Sequence, residues 1–320
     1  MNAAPLSHDP LWPRAGAWPP PSDVAAEARL ALLGVPTWRT SLSPTGAHAT
    51  PAAVREALRR FSPALVAGPV GAPVDLEELA VVDHGDVEEP DGDDGEARTR
   101  AAVASALTRA HALVALGGDN SVTVPTALGA WGDDLATAGL VTFDAHYDLR
   151  DGVSNGSPVR RLIEAGLDPA RIVQLGIADF ANSAAYARRA RDLGITVVTV
   201  DDLRQHLYRS GPGGLDAVVR SALGIAGAGG GPVHVDVDVD VCDRSVAPGC
   251  PASVPGGLAA WELRALVRAT ASDPRVRSVD VAEVDATADA PDGRTVRLAA
   301  LCVLEVLAGL AARREDVSAG

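Results

Sequence analysis

The sequence predicts one α/β domain built on a single doubly wound parallel sheet, and three observations lead there. Apolar runs of strand length recur from one end of the chain to the other. Amphipathic helical stretches separate most of them, and 320 residues that are 47% hydrophobic suffice for one large core.

Residues 1–25, with Pro19-Pro20-Pro21 and two tryptophans, read as an irregular arm ahead of the domain, which is expected to span 26–314. The first strand is predicted over 30–35 and the first amphipathic helix over 51–61. A strand over 79–82 follows, then an acidic, glycine-containing loop over 88–96 and a helix over 95–111. Strands over 112–116 and 139–143, a helix over 157–165, a strand over 171–177, a helix over 183–193 and a strand over 196–200 continue the alternation. Glycine-rich 224–231 is expected to be a flexible connection into a valine-rich strand over 233–241. A helix over 258–271 and a strand over 277–284 complete the set, and 315–320 should be a frayed tail.

Composition excludes several classes of function. The formal charge of −14 disfavours nucleic acid and anionic membranes as partners. All 28 basic residues are arginine, so Schiff-base and P-loop lysine chemistry are out. Three cysteines, Cys242, Cys250 and Cys302, lack metal-type spacing and are expected as buried free thiols. No basic-then-apolar leader opens the chain and no run approaches 18 consecutive apolar residues, so a soluble, cytoplasmic protein is expected.

Two runs carry the chemistry: Asp144-Ala145-His146-Tyr147-Asp148 and Asp236-Val237-Asp238-Val239-Asp240. Each follows an apolar strand-like run, so alternate polar side chains should share one face, and in an open α/β sheet both would lie at the carboxyl ends where ligands gather. Standing alone, Asp-x-Asp-x-Asp is an ordinary exposed strand face. Two such runs together would bring carboxylates into mutual repulsion in a dry setting, a cost that divalent cations remove. The mixed Asp and His donors suit Mn²⁺, Fe²⁺, Co²⁺, Ni²⁺ or Zn²⁺, and the number of groups points to two ions. An EF-hand is excluded, because Val241 stands where its glycine would be. His84, His111 and His234 are assigned to no site, and Gly117-Gly118 is read as a tight turn presenting Asp119 and Asn120.

Taken with Gly117-Gly118-Asp119-Asn120-Ser121, the segment from Asp236 to Asp243 followed by Ala247-Pro248-Gly249, and Glu283-Val284-Asp285, these runs resemble the ordered signatures of the ureohydrolase (arginase/agmatinase) family. Further matches at Gly34-Val35-Pro36, Arg55, Gly85-Asp86 and 295–300 extend the resemblance over nearly the whole chain. It implies a three-layer α/β/α sandwich with a mostly parallel eight-stranded sheet, two Mn²⁺ per subunit and a homo-oligomer, a trimer or hexamer.

Carried over position by position, the resemblance implies that Asp144 and Asp238 bridge the metals, that Asp148 binds one, and that His146 and Asp240 bind the other. Asn120 stands where the family usually has His and implies a weakened site. Asp148 would orient the nucleophilic water and shuttle its proton, and Glu283 would pair with the amidine or guanidinium of the substrate. Within the family, 144–150, Ser154 to Arg160, Gln174 to Ile177 and Phe180-Ala181-Asn182-Ser183 are similar to formimidoylglutamases of histidine degradation, which also tend to lack a His at the position of Asn155. That implies cleavage of N-formimidoyl-L-glutamate to L-glutamate and formamide, with Arg150 and Arg160 gripping carboxylates and Asn155 at the substrate. The alternatives are an agmatinase or other guanidino-acid amidinohydrolase that releases urea, and a catalytically silent relative. Arg161 should face solvent.

Overall fold

The computed structural model describes residues 9–66, 73–211 and 213–313. Its central sheet contains β1 (Ala28–Val35), β4 (Val81–Asp86), β5 (Ala110–Gly117), β6 (Gly139–Phe143), β7 (Ile172–Ile177), β8 (Thr196–Thr199), β9 (Val233–Asp238) and β10 (Val276–Ala282). A separate two-stranded pair is formed by β2 (Ala64–Leu65) and β3 (Val74–Asp75). The spatial order is β4-β1-β5-β10-β9-β6-β7-β8, and every pairing in this sheet is parallel.

The helices are α1 (Thr50–Leu58), α2 (Gly92–Leu107), α3 (Thr123–Trp131), α4 (Pro158–Ala165), α5 (Ala184–Leu193), α6 (Val200–Ser210), α7 (Gly213–Ala226), α8 (Ala260–Ala271) and α9 (Arg294–Ala312). Because helices cover both sides, each strand is apolar on both faces: Leu30 and Leu32 enter one core while Ala31 and Leu33 enter another. One layer packs α1, α6, α7, α8 and α9 together, and α2, α3, α4 and α5 lie opposite. This is the expected three-layer sandwich with an eight-stranded sheet.

Four helices escaped the pattern reading. Helix α9 is buried almost all round, so it shows no amphipathic stripe. It is long and apolar enough by composition to cross a membrane, yet 78% of its apolar window is buried inside the fold against α1 and α8. Its Glu305 is buried and receives Arg264 at 2.7 Å and Arg268 at 2.5 Å, both from α8, which locks the two helices together. Helices α3 and α7 carry Pro125, Gly129, Gly213 and Gly214, and tertiary packing overrides their weak propensity, while α6 starts at Val200, inside the strand predicted over 196–200. Residues 224–231, expected as a flexible connection, instead contain the end of α7 and a short 3₁₀ turn, Gly227–Gly229. The acidic loop is shorter than 88–96, since α2 begins at Gly92.

Part of the expected arm is folded onto the body: Ala15 is buried, and Pro19 O accepts the Asp83 amide at 2.9 Å. Residues 1–8 of that arm and the expected tail over 315–320 lie outside the described residues. The three cysteines are buried free thiols. Arg161 does not face solvent; it pairs with the buried Glu96 at 2.8 Å and ties α4 to α2.

Candidate metal centre and substrate cavity

Four neighbouring strands, β5, β10, β9 and β6, deliver the candidate residues from their carboxyl ends. Asn120 follows β5, Glu283 follows β10, Asp238 ends β9, and Asp144, His146 and Asp148 follow β6. The expectation of strand-borne alternation is corrected here. Strand β6 stops at Phe143 and β9 at Asp238, with Asp240 on the 3₁₀ turn Val239–Val241.

The acids themselves fold these loops. Asp144 Oδ1 accepts the His146 amide at 2.6 Å, and Asp238 Oδ1 accepts the Asp240 amide at 2.8 Å, the local turn chemistry to which short acids are suited. Asp148 and Glu283 hold φ of 52° and 60°, a left-handed conformation that costs a non-glycine residue energy and recurs at functional sites. Gly118 is required by close approach, since a Cβ there would stand 1.9 Å from Thr37 O; its own carbonyl accepts the Glu283 amide at 2.9 Å.

One donor atom each from Asp144, His146 and Asp240 falls within a 4.8 Å cluster. His146 Nδ1 lies 2.9 Å from Asp240 Oδ2 and 3.5 Å from Asp144 Oδ1. The Asp240 charge, outweighing burial, pushes His146 up to about 12. Burial, then the charge of Asp240, raises Asp144 to about 6. Burial and surrounding acids also push Asp148 and Asp238 well above the carboxylate range. Burial alone would raise Asp240, but His146 and hydrogen bonds hold it below its ordinary value.

Five acids (Asp144, Asp148, Asp238, Asp240 and Glu283) thus face a single ion-paired base, His146, among the described residues. Asp144 Oδ2 is buried without a hydrogen-bond partner. Such a set of oxygen donors with one imidazole fits divalent cations, which would relieve both desolvation and mutual repulsion.

Asn120 is brought beside this cluster, but its amide nitrogen, rather than its oxygen, meets Asp148 Oδ2 at 2.7 Å. Its oxygen accepts from the Thr123 hydroxyl at 2.8 Å. As placed, it holds a carboxylate and does not offer an oxygen ligand. Asp236 stays inside β9, a full strand step from the mouth of the site.

The cluster opens into a cavity of about 380 Å³ whose lining includes His146, Asp148, Asp238, Asp240, Arg150, Asn155 and Glu283. Asn155 Nδ2 donates to Glu283 Oε1 at 2.8 Å, and the Asn120 amide donates to that same oxygen at 2.8 Å. Asn155 Oδ1 in turn accepts the Leu42 amide at 3.0 Å, so one side chain joins the Leu42–Ser43 rim to the acid. Burial, then Asp119, raises Glu283 to about 8 against those two hydrogen bonds.

Arg150 lines the cavity and forms no ion pair among the described residues; the neighbouring Asp151 binds Arg189. Arg160 is not brought to the lining. Its guanidinium is spent on Arg150 O at 2.6 Å, on Gly152 O and on Glu164, which corrects its expected contact with substrate. Pattern reading assigned no role to Asn182, whose amide holds Ala145 O at 2.8 Å and whose oxygen takes the Tyr147 amide at 3.1 Å, or to Gln174, which donates to Tyr147 O at 3.1 Å. Both stood in quoted segments, but a bond to a distant main-chain atom leaves no trace in residue spacing.

The Arginase family model matches residues 28–309. The chain belongs to the arginase family. A formimidoylglutamase from Halalkalibacterium halodurans is 33% identical over 87% of this chain and 86% of that protein. The solved structure of Bacillus subtilis formimidoylglutamase superposes with a TM-score of 0.84 at 30% identity, covering 98% of this chain and 96% of the other. Trypanosoma cruzi formiminoglutamase, solved with Mn²⁺, shares the fold at a TM-score of 0.78 and 24% identity, over 90% of this chain and 95% of that one. The chain is accordingly an arginase-family hydrolase.

Proposed function

We propose that this enzyme hydrolyses N-formimidoyl-L-glutamate to L-glutamate and formamide, a step of histidine degradation, in a reducing cytoplasm where its three thiols stay free. The observation that carries the reading is the composition of one cavity: an unpaired guanidinium, Arg150, shares it with Glu283 and with the acid cluster. A formimino group needs an acid, and a carboxylate needs a fixed cation. Similarity to formimidoylglutamases over most of the chain supports the same choice.

In this reading Asp144, His146, Asp148, Asp238 and Asp240 would together hold two Mn²⁺ ions. Asn120 enters through its bond to Asp148. When bound, the ions supply Lewis acidity and allow water to act as a nucleophile near neutral pH.

The chain's own groups do the rest. Arg150 draws in a substrate carboxylate, and Glu283, with Oε1 held by Asn155 and Asn120, turns Oε2 to the formimino nitrogens. Asp148 orients the attacking water, accepts its proton and passes it to the glutamate nitrogen as the C–N bond breaks. The formimino carbon leaves with the water oxygen as formamide.

The test is to load the protein with Mn²⁺ and offer N-formimidoyl-L-glutamate, agmatine and arginine in parallel, detecting glutamate, formamide and urea separately. Glutamate with formamide from the first substrate alone is expected. Urea from either guanidino compound would overturn the assignment, and inactivity on all three with sub-stoichiometric metal would make the chain a silent relative.

A further inference from the structure

Arg150 is the only arginine lining the cavity among the described residues, and it sits on an irregular segment rather than on a helix or strand. A cation on such a segment is useful for recognition only if the main chain beneath it is fixed. The Arg150 amide itself donates to Gly156 O at 3.0 Å, and the carbonyls around it are held by two other arginines.

The Arg160 amide donates to Asp148 O at 3.2 Å, its Nε to Arg150 O at 2.6 Å, and its Nη2 to Gly152 O. Arg189 Nη1 donates to Leu149 O at 2.7 Å and also reaches Asp151 Oδ1 at 2.9 Å. The carbonyls of 148, 149, 150 and 152 are therefore all held, and three of these bonds come from guanidinium groups, whose rigid fork suits several acceptors at once. Arg189 is itself seated over the Tyr186 ring at 5.5 Å, and Tyr186 lines the cavity.

We propose that Arg160 and Arg189 are positioning residues for substrate recognition: they clamp the main chain that carries Arg150 and thereby aim its guanidinium at the substrate carboxylate. The inference rests on the reading that Arg150 binds that carboxylate. It assigns to Arg160 an indirect part in the affinity that sequence reasoning had given it directly. Asp148 has a separate anchor in Asn120, so loosening the clamp should spare the metal centre.

The test compares R150M, R160A, R160K, R189A and the double variant R150M/R160A, each as the full chain loaded with Mn²⁺, with metal content and melting temperature measured beside KM and kcat for N-formimidoyl-L-glutamate. R150M is expected to raise KM on the order of 10- to 100-fold, the loss of one charge-assisted pair. R160A should raise KM about tenfold with kcat falling less than about threefold and metal content unchanged, R189A less, and R160K should recover part of the loss.

The double variant should be no worse than R150M, because Arg160 acts through Arg150. Additive losses in the double variant, or a fall in metal content that tracks the fall in activity, would overturn the clamp while leaving Arg150 at the substrate. An unchanged KM in R150M would instead sink the reading beneath it. Should R160A fail to fold, R160K and R189A carry the same comparison.

Discussion

Two groups of buried acids lie along the same pair of central strands and have opposite characters. Toward the interior, His234 on β9 bonds Ser278 at 2.7 Å and Asp280 at 2.9 Å on β10, with Asp236 abreast of Asp280 and all four completely buried. At the carboxyl end, Asp238 and Asp240 join Asp144, Asp148 and Glu283 around His146 and open to a cavity. The interior group is sealed: Asp280 has a base in His234, itself bonded to the Ser278 hydroxyl, while both Asp236 oxygens are buried without a hydrogen-bond partner. The mouth carries more acid than its one base can answer. Burial therefore does not mark a functional site, even where it goes uncompensated, as at Asp236; several acids gathered around one base beside an opening do.

The sharpest way to break this comparison is to remove metal. Chelation of the loaded protein should abolish turnover, by at least about a thousandfold, and lower the melting temperature, since an ion that binds only the folded state stabilises it and quiets the acid repulsion. Restoring Mn²⁺ should return both. A melting temperature indifferent to chelator would mean that the acids need no cation, and the contrast between the two groups would collapse.

The second effect belongs to the interior. His234→Ala leaves the carboxyl of Asp280 buried beside Asp236 without its base, and burial, then the Asp280 charge, already pushes Asp236 well above the carboxylate range. Removing one partner of a buried pair typically costs about 3–5 kcal/mol. Denaturant unfolding should show a loss of that order while metal analysis still finds the wild-type stoichiometry. Loss of metal with unchanged stability would place His234 in the mouth group instead.

A smaller effect should come from Asn155→Ala, which frees Glu283 Oε1 from one of its two donors and releases the Leu42 amide. The Asn120 amide remains. A drop in kcat/KM of about tenfold, on the scale of about 1–2 kcal/mol for one such bond, is expected, with melting temperature little altered. Wild-type kinetics would show that Glu283 is held well enough without it.

Much of this arrangement could be read in advance, for a physical reason. Parallel strands buried on both faces are continuous apolar runs, so all eight strands of the main sheet left a signal, with no end off by more than four residues and β6 matched at both ends. The ligand runs were legible because chemistry needs those residue types close together. Their geometry was less so: Asp144 and Asp240 leave the strand register because their loops are folded by carboxylate-to-amide bonds that spacing cannot express. Helix α9 was hidden by being apolar almost all round, and Arg160 looked like a free cation because two of the three acceptors of its guanidinium are main-chain carbonyls, which every sequence position possesses alike.

The finest comparison lies within the mouth itself, at Asn120. Its amide nitrogen holds Asp148 and its oxygen is taken by Thr123, so in this arrangement it shapes one carboxylate without adding a ligand. An imidazole there would offer a stronger donor to a divalent ion than a carboxamide does. Asn120→His should therefore tighten Mn²⁺ binding on the order of tenfold, measured by competition with a chelator of known affinity. The side chain is buried at 1% exposure, so the larger ring has to fit against Thr123 and Asp148, and melting temperature in saturating metal checks that it does. Tighter binding with intact stability would make position 120 part of the coordination shell and set its present residue as the cause of a weaker site. Unchanged or weaker affinity in a stable variant would mean that Asn120 acts through Asp148 alone, and that the mouth group reaches its full strength with the four aspartates and His146.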